Sequence, residues 1–314
     1  MFITKKNSSY ILHTSLFILT FLTTTLAGVM WLNKNPFELE NFHLGFPYSI
    51  SLLIILLAHE LGHYFAAKYH NVNATLPYFI PIPPFLFNPF GTMGALIKIK
   101  SPIPTKRALF DIGIAGPLSG LFFTLIILIY GLATLPPLSY VYDIHPEYKQ
   151  LSEIPSTGLA FGHSLLTYII KLLHGNPSNF PPMNEIYHYP YLCVAWFGLF
   201  VTTLNLIPVG QLDGGHILYA LIGKKQGVVA RIFFFFIIGI GLSSFLPLPN
   251  LGFHPGTIGW LLFAVLIYFF IKLDHPEIYD LYELDPVRKI LGWFALFIFI
   301  IAFPPVPFFE LLPT

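Results

Sequence analysis

The amino-acid sequence predicts an all-α membrane protein, a polytopic helical bundle of about seven transmembrane helices with a small cytoplasmic-side β-hairpin or membrane-dipping segment. Three observations predict this fold class. Of 314 residues, 55% are hydrophobic and only 10% are charged, whereas a soluble domain carries about 25% charged residues. Apolar stretches of about 20 residues, long enough to cross a bilayer, recur along the chain. Prolines cluster at the ends of these stretches, where helices are expected to stop.

The candidate transmembrane helices follow from that length criterion. Their approximate bounds are 10–32, 46–69, 109–135, 190–208, 228–247, 257–273 and 290–306. The first segment also has a signal-peptide reading, because Thr25-Leu26-Ala27-Gly28 resembles a small-residue cleavage site. Its apolar part runs on through Trp31, so we expect a retained helix.

Lysine and arginine residues predict the orientation of these helices. Most of them lie in four groups, before the first helix and between the second and third, the fourth and fifth, and the sixth and seventh. If all the helices cross the membrane, the four groups fall on one side, which the positive-inside rule identifies as the cytoplasm. The N-terminus is then cytoplasmic. The sequence shows no transit-type leader, so we expect an integral multi-pass protein of a bacterial or archaeal cell (inner) membrane.

Two connections between helices show more pattern than a plain loop. Residues 75–104 contain several prolines and then a weakly alternating stretch at 91–100. This stretch suits a strand or hairpin that dips into the membrane against the rest of the protein. The prolines themselves favour a rigid linker. In the long connection 136–189, residues 156–174 predict an amphipathic helix on the outer surface.

The second predicted helix contains a histidine pair typical of a zinc site. His59 and His63 are four residues apart, so both imidazoles lie on one helix face. Neutral imidazole is a good zinc ligand, and the glutamate of an H-E-x-x-H pattern, here Glu60, acts as a general base. Ionisable side chains inside a membrane are costly and usually functional. The alternative, a histidine pair that only hydrogen-bonds between helices, leaves Glu60 unexplained.

A catalytic zinc ion needs a third protein ligand and one open position. The end of the fourth predicted helix offers two candidates, Asp213 and His216. Pro208 is expected to break the helix there, and the glycines that follow permit tight turns. We prefer Asp213, because a carboxylate balances the charge of Zn²⁺ and His216 does not.

Taken together, these motifs resemble those of the site-2 protease family of intramembrane zinc metalloproteases, peptidase family M50. The motifs are HELGH at 59–63, NLIPVGQLDG at 205–214, GTMGA at 91–95 and GIAGPLSG at 113–120. The resemblance covers about 45–220, and we expect 1–314 to form a single membrane-embedded metalloprotease domain with extra helices at 1–44 and 221–314.

The resemblance implies a site and an activity. His59, His63 and Asp213 would bind one Zn²⁺, Glu60 would activate a zinc-bound water, and Asn205 would lie near the substrate or the oxyanion. The enzyme would be a zinc metalloendopeptidase that cleaves transmembrane segments of single-span membrane proteins in the lipid bilayer, in regulated intramembrane proteolysis.

Two other function classes compete with this interpretation. One is a catalytically inactive membrane scaffold, although the base and all three expected ligands are present. The other is a metal transporter, although no inverted repeat is visible. A net charge of +1 gives no reason to expect nucleic acid as a partner, and the oligomeric state is not determined by the sequence. None of the remaining interface and loop histidines is expected to bind metal: His70, His145, His163, His174, His188 and His254.

Overall fold

The computed structural model describes residues 5–85, 88–151, 153–174, 180–246, 257–278 and 282–311. His254 therefore lies outside the described residues. The α-helices in that part of the chain are α1 (Lys5–Trp31), α2 (Phe46–Tyr69), α3 (Lys106–Ala133), α4 (Val141–Ile144), α5 (Leu165–Leu173), α6 (Pro190–Asn205), α7 (Asp213–Ile222), α8 (Gln226–Ser243), α9 (Gly259–Leu266) and α10 (Pro286–Ala302). The strands are β1 (Tyr78–Pro81), β2 (Thr92–Leu96), β3 (Gly158–Phe161) and β4 (Phe308–Leu311).

The helices predicted from apolar length are present, but about seven membrane crossings are not confirmed. Among the described residues, four helical stretches are long and apolar enough to cross a membrane: Ser9–Trp31, Leu39–Tyr69, Lys106–Ala133 and Asp213–Ser243. The apolar helices Pro190–Asn205 and Gly259–Ile271 are shorter. At 1.5 Å per residue, the 16-residue α6 is about 24 Å long, less than the roughly 30 Å of a hydrocarbon core.

The fourth candidate span differs from the predicted helix at 228–247. Residue 247 itself lies outside the described residues. The span begins at Asp213 and continues through α7, one 3₁₀ turn (Gly223–Lys225) and α8. The sequence predicted tight turns at the glycines beside Asp213. In the structure these glycines form the first turn of α7.

The described residues divide into two compact units. Unit 1 comprises the described parts of Met1–Pro102, Leu118–Glu147 and Tyr187–Gly198, and unit 2 those of Ile103–Pro117, Tyr148–Ile186 and Leu199–Thr314. Both α3 and α6 contribute residues to each unit.

In unit 1, α1 packs against α2 and β1. The Thr24 and Ser49 hydroxyl oxygens lie 2.6 Å apart and link α1 to α2. Next to the start of β1, His13 Nδ1 lies 3.0 Å from the Pro77 carbonyl oxygen. Helix α1 is therefore bound to its neighbours by polar contacts as well as by apolar burial.

Strands β1 and β2 form an antiparallel two-stranded sheet in the same unit. Tyr78 pairs with Leu96 and Phe79 with Ala95. The prediction of a strand or hairpin at 91–100 is confirmed. Its partner strand, however, is the proline-containing stretch that the sequence favoured as a linker.

In unit 2, β3 pairs with β4 in a second antiparallel sheet, from Gly158↔Leu311 to Phe161↔Phe308. The predicted amphipathic helix at 156–174 is therefore wrong in its first part, and only α5 is helical. Ser164 caps that helix, because its hydroxyl oxygen accepts the N–H of Thr167 at 3.1 Å. The prediction failed because β4 lies about 150 residues away in the chain, beyond any local periodicity.

Candidate metal centre

The histidine pair lies on one face of α2, as its spacing predicts. The Nε2 atoms of His59 and His63 are 3.0 Å apart, and both side chains are buried, as is Glu60. Two nitrogens that bind one zinc ion at 2.0–2.1 Å with tetrahedral geometry are about 3.3 Å apart. A shift of a few tenths of an ångström would therefore fit the pair to zinc.

A glycine on α3 makes room for this pair within unit 1. A Cβ atom built on Gly120 would lie 3.3 Å from both Cβ and Nδ1 of His59, closer than ordinary van der Waals contact. The G-x-x-x-G spacing that ends at Gly120 permits close helix packing. Here that packing brings α3 against the first histidine.

The segment that carries Asp213 folds tightly on itself in unit 2. Helix α6 ends at Asn205, before Pro208, as predicted. The N–H of Gly210 donates to the Leu273 carbonyl oxygen at 3.0 Å, and its φ of +50° favours glycine. A Cβ atom on Gly214 would lie 1.9 Å from the Leu206 carbonyl oxygen, so the first turn of α7 requires glycine.

This tight segment fixes the N-terminus of α7. Asp213 is the first residue of the helix and is half-buried. A carboxylate in the first turn of a helix is favoured by the helix dipole. Asp213, which lies in unit 2, stays the predicted third ligand of the His59–His63 pair of unit 1.

Asn205 and His216 also lie in unit 2. Asn205 is the last residue of α6 and is half-buried. His216 Nδ1 lies 2.7 Å from Nε2 of His275. His275 Nδ1 lies 2.6 Å from the Pro276 carbonyl oxygen, so His275 donates there and accepts from His216. Burial lowers the pKa of His275, which the bond to Pro276 partly opposes.

The structure also pairs two histidines that the sequence did not connect. The Nε2 atoms of His145 and His188 are 2.9 Å apart in unit 1. They are separated by 43 positions in the chain, so no spacing rule identifies them.

The comparisons with known proteins bear on the His59–His63 pair. A model of peptidase family M50 matches residues 47–240. "Probable zinc metalloprotease EGY1, chloroplastic" of Arabidopsis thaliana is 30% identical over 264 residues, 83% of this chain and 43% of that protein. The protein of the same name from Oryza sativa subsp. japonica is 32% identical over 222 residues, 70% and 34% of the two chains.

A third relative is "Probable zinc metalloprotease EGY2, chloroplastic" of Arabidopsis thaliana. It is 28% identical over 275 residues, 86% of this chain and 44% of that protein. The chain spans less than half the length of these relatives. The relatives are plant chloroplast proteins, which is not the bacterial or archaeal setting expected from the sequence. The apolar helices and the family together make the chain an integral membrane protein, and it belongs to peptidase family M50.

Proposed function

We propose that this chain is an intramembrane zinc metalloendopeptidase that cleaves transmembrane segments of single-span membrane proteins, in regulated intramembrane proteolysis. The observation that carries the proposal is the buried His59–His63 pair, with its Nε2 atoms 3.0 Å apart, on an apolar helix that also buries Glu60. Peptide hydrolysis accounts for a base beside a metal-ligand pair, which neither a scaffold nor an ion path requires. We also infer one membrane-embedded domain with a core at about 45–220 and a cytoplasmic N-terminus.

The residues divide the chemistry as follows. His59, His63 and Asp213 would hold the zinc ion, which would supply a Lewis acid for the scissile carbonyl and lower the pKa of water. Glu60 takes a proton from the attacking water and gives it to the leaving amine nitrogen. Asn205 donates a hydrogen bond to the developing oxyanion, a contact worth about 3–4 kcal/mol in comparable sites.

The test compares wild type with Glu60→Gln in detergent, using a single-span reporter and measuring zinc in both proteins. We expect the wild type to cut and the variant to keep zinc without cutting, because glutamine cannot accept the proton. A variant that cuts as fast as the wild type would remove Glu60 from the mechanism. A panel of reporters that all stay intact with zinc bound would favour the scaffold or the transporter.

We also propose that the 91–100 segment receives the unwound substrate by strand addition. Each strand of the β1–β2 sheet has one strand neighbour among the described residues, and Met93 and Leu96 are exposed. The N–H of Lys98 donates to the Thr75 hydroxyl oxygen at 2.9 Å. Successive N–H groups of an extended chain alternate in direction, so the N–H of Ile97 faces away from Thr75.

Proline at position 97 tests this docking edge. Ile97→Pro removes the outward donor and spares the Lys98 contact, so we expect slower cleavage with zinc content unchanged. Ile97→Ala is the matched control, because it shortens the side chain and keeps the N–H. Equal cleavage by the proline and alanine variants would exclude strand addition at this edge.

A further inference from the structure

The His145–His188 pair lies outside the four candidate membrane spans. It shares no residue with the site proposed above. His188 is 2% exposed and lies two residues before the start of α6. His145 follows α4 and has 16% of its side chain exposed. Both residues belong to unit 1.

The second nitrogen of each imidazole contacts a group that accepts hydrogen bonds. His145 Nδ1 lies 3.0 Å from Oε1 of Glu147, and His188 Nδ1 contacts the carbonyl oxygen of Trp31. A carboxylate and a backbone carbonyl only accept, so each Nδ1 carries the proton. In the neutral rings both Nε2 atoms then present lone pairs to each other at 2.9 Å, and a cation is needed between them.

The contacts of the two rings have the pattern of metal-binding histidines. Such histidines donate their other N–H to a carboxylate or a backbone carbonyl, which sets the tautomer and the ring orientation. The 2.9 Å between the two Nε2 atoms is within about 0.4 Å of the separation expected for two nitrogens on one tetrahedral zinc ion.

The neighbouring histidine pair of unit 2 provides a contrast. In the His216–His275 pair, Nδ1 of one ring faces Nε2 of the other at 2.7 Å. His275 uses its own Nδ1 proton on Pro276, so its Nε2 accepts the His216 proton. That pair is an ordinary hydrogen bond and requires no ion.

Aromatic rings pack on both sides of His188. The Trp31 and Tyr187 rings have centroids 5.2 Å apart, and those of Tyr140 and Tyr189 are 5.3 Å apart. The hydroxyl of Tyr140 donates to the His188 carbonyl oxygen at 3.4 Å. These contacts hold the backbone on both sides of His188 without an ion.

We propose that His145 and His188 bind a second divalent metal ion of the zinc class. Two neutral imidazoles, each with its Nδ1–H directed at an acceptor, suit Zn²⁺ in a structural role. The ion would join chain segments 43 positions apart in the connection between α3 and α6.

The test counts this ion without the first one. The background variant His59→Gln/His63→Gln removes the pair on α2. It is purified in detergent, exposed to excess zinc, desalted and analysed for zinc per chain by mass spectrometry. We expect one zinc ion per chain, lost when His188→Gln is added and lost equally when His145→Gln is added, which alters a more exposed side chain.

The matched control is His275→Gln in the same background, which we expect to keep the zinc ion. Size-exclusion profiles show whether each variant remains monodisperse. A monodisperse background protein that holds no zinc at neutral pH would overturn the proposal in favour of a shared proton. Zinc retained by both the His145 and the His188 variants would also overturn it. Neither result depends on peptide cleavage, so the proposed function stands or falls separately.

Discussion

Single glycines decide how closely the backbone approaches itself around the site. Gly120 lies against His59, and Gly214 lies against the Leu206 carbonyl oxygen. The sequence suggested only that these glycines permit close packing or turns. The distances show that a methyl group on Gly214 would collide with the Leu206 carbonyl oxygen. The position of the Asp213 carboxylate therefore depends on the glycine that follows it.

Gly214→Ala is expected to displace the first turn of α7. A Cβ atom there would lie 1.9 Å from the Leu206 carbonyl oxygen, and a displacement of about 1 Å in a catalytic group costs roughly 100-fold in rate. We expect a loss of that order in reporter cleavage. The control is Gly239→Ala, where nothing lies within 4 Å. A Gly214 variant as active as the Gly239 variant would contradict the argument.

His275 is expected to make stability depend on pH. Burial lowers its pKa below the usual value for histidine, so between its folded and unfolded pKa values only the unfolded chain binds the proton. The free energy of unfolding therefore falls as the pH drops below about 6.5. His275→Gln should show a smaller fall in melting temperature between pH 7.5 and pH 5.5 than the wild type. Equal falls would show that other groups cause the dependence.

At the scale of elements, the starts of two helices in unit 2 are joined by one arginine. Arg288 Nε and Nη2 each donate to Asp111 at 2.7 Å, one to each carboxylate oxygen. Arg288 also contacts Asp285, whose carboxylate caps α10 by accepting the N–H of Arg288 at 3.1 Å. Asp111 of α3 is thereby paired with α10.

Arg288→Gln should destabilise the protein by about 1–3 kcal/mol, because it leaves half-buried carboxylates without their cation. Arg288→Lys should recover only part of this, since an ammonium group cannot form the two-pronged contact. Thermal unfolding in detergent measures both variants. Full recovery by lysine would mean that charge, and not the paired geometry, stabilises this junction.

For the molecule as a whole, the question is how many helices remain in the membrane. The small residues near the end of α1 suggested a cleavage site, but Gly28 would bring a Cβ atom 2.8 Å from the Gly45 carbonyl oxygen. Ala27 and Thr25 are fully buried. Close packing against the segment before α2 explains these small residues.

We therefore expect α1 to be retained in the mature protein. The intact mass of protein purified from its host membrane should include the residues before Gly28. A mass that begins at Gly28 would show that the helix is a signal peptide. Deletion of residues 1–31 should also destabilise unit 1, because α1 packs against both α2 and β1.

The sequence by itself determined most of the long apolar helices and the His59–Glu60–His63 face, because apolar length and a four-residue spacing are local properties of a helix. It also determined the break after Asn205, since Pro208 cannot continue a helix. The roles of Asp213 and Asn205 remain predictions. Only the tertiary structure decided the strand partners, the contact of Gly120 with His59 and the His145–His188 pair. Each of these joins residues far apart in the chain, and such contacts leave no periodic trace in the sequence.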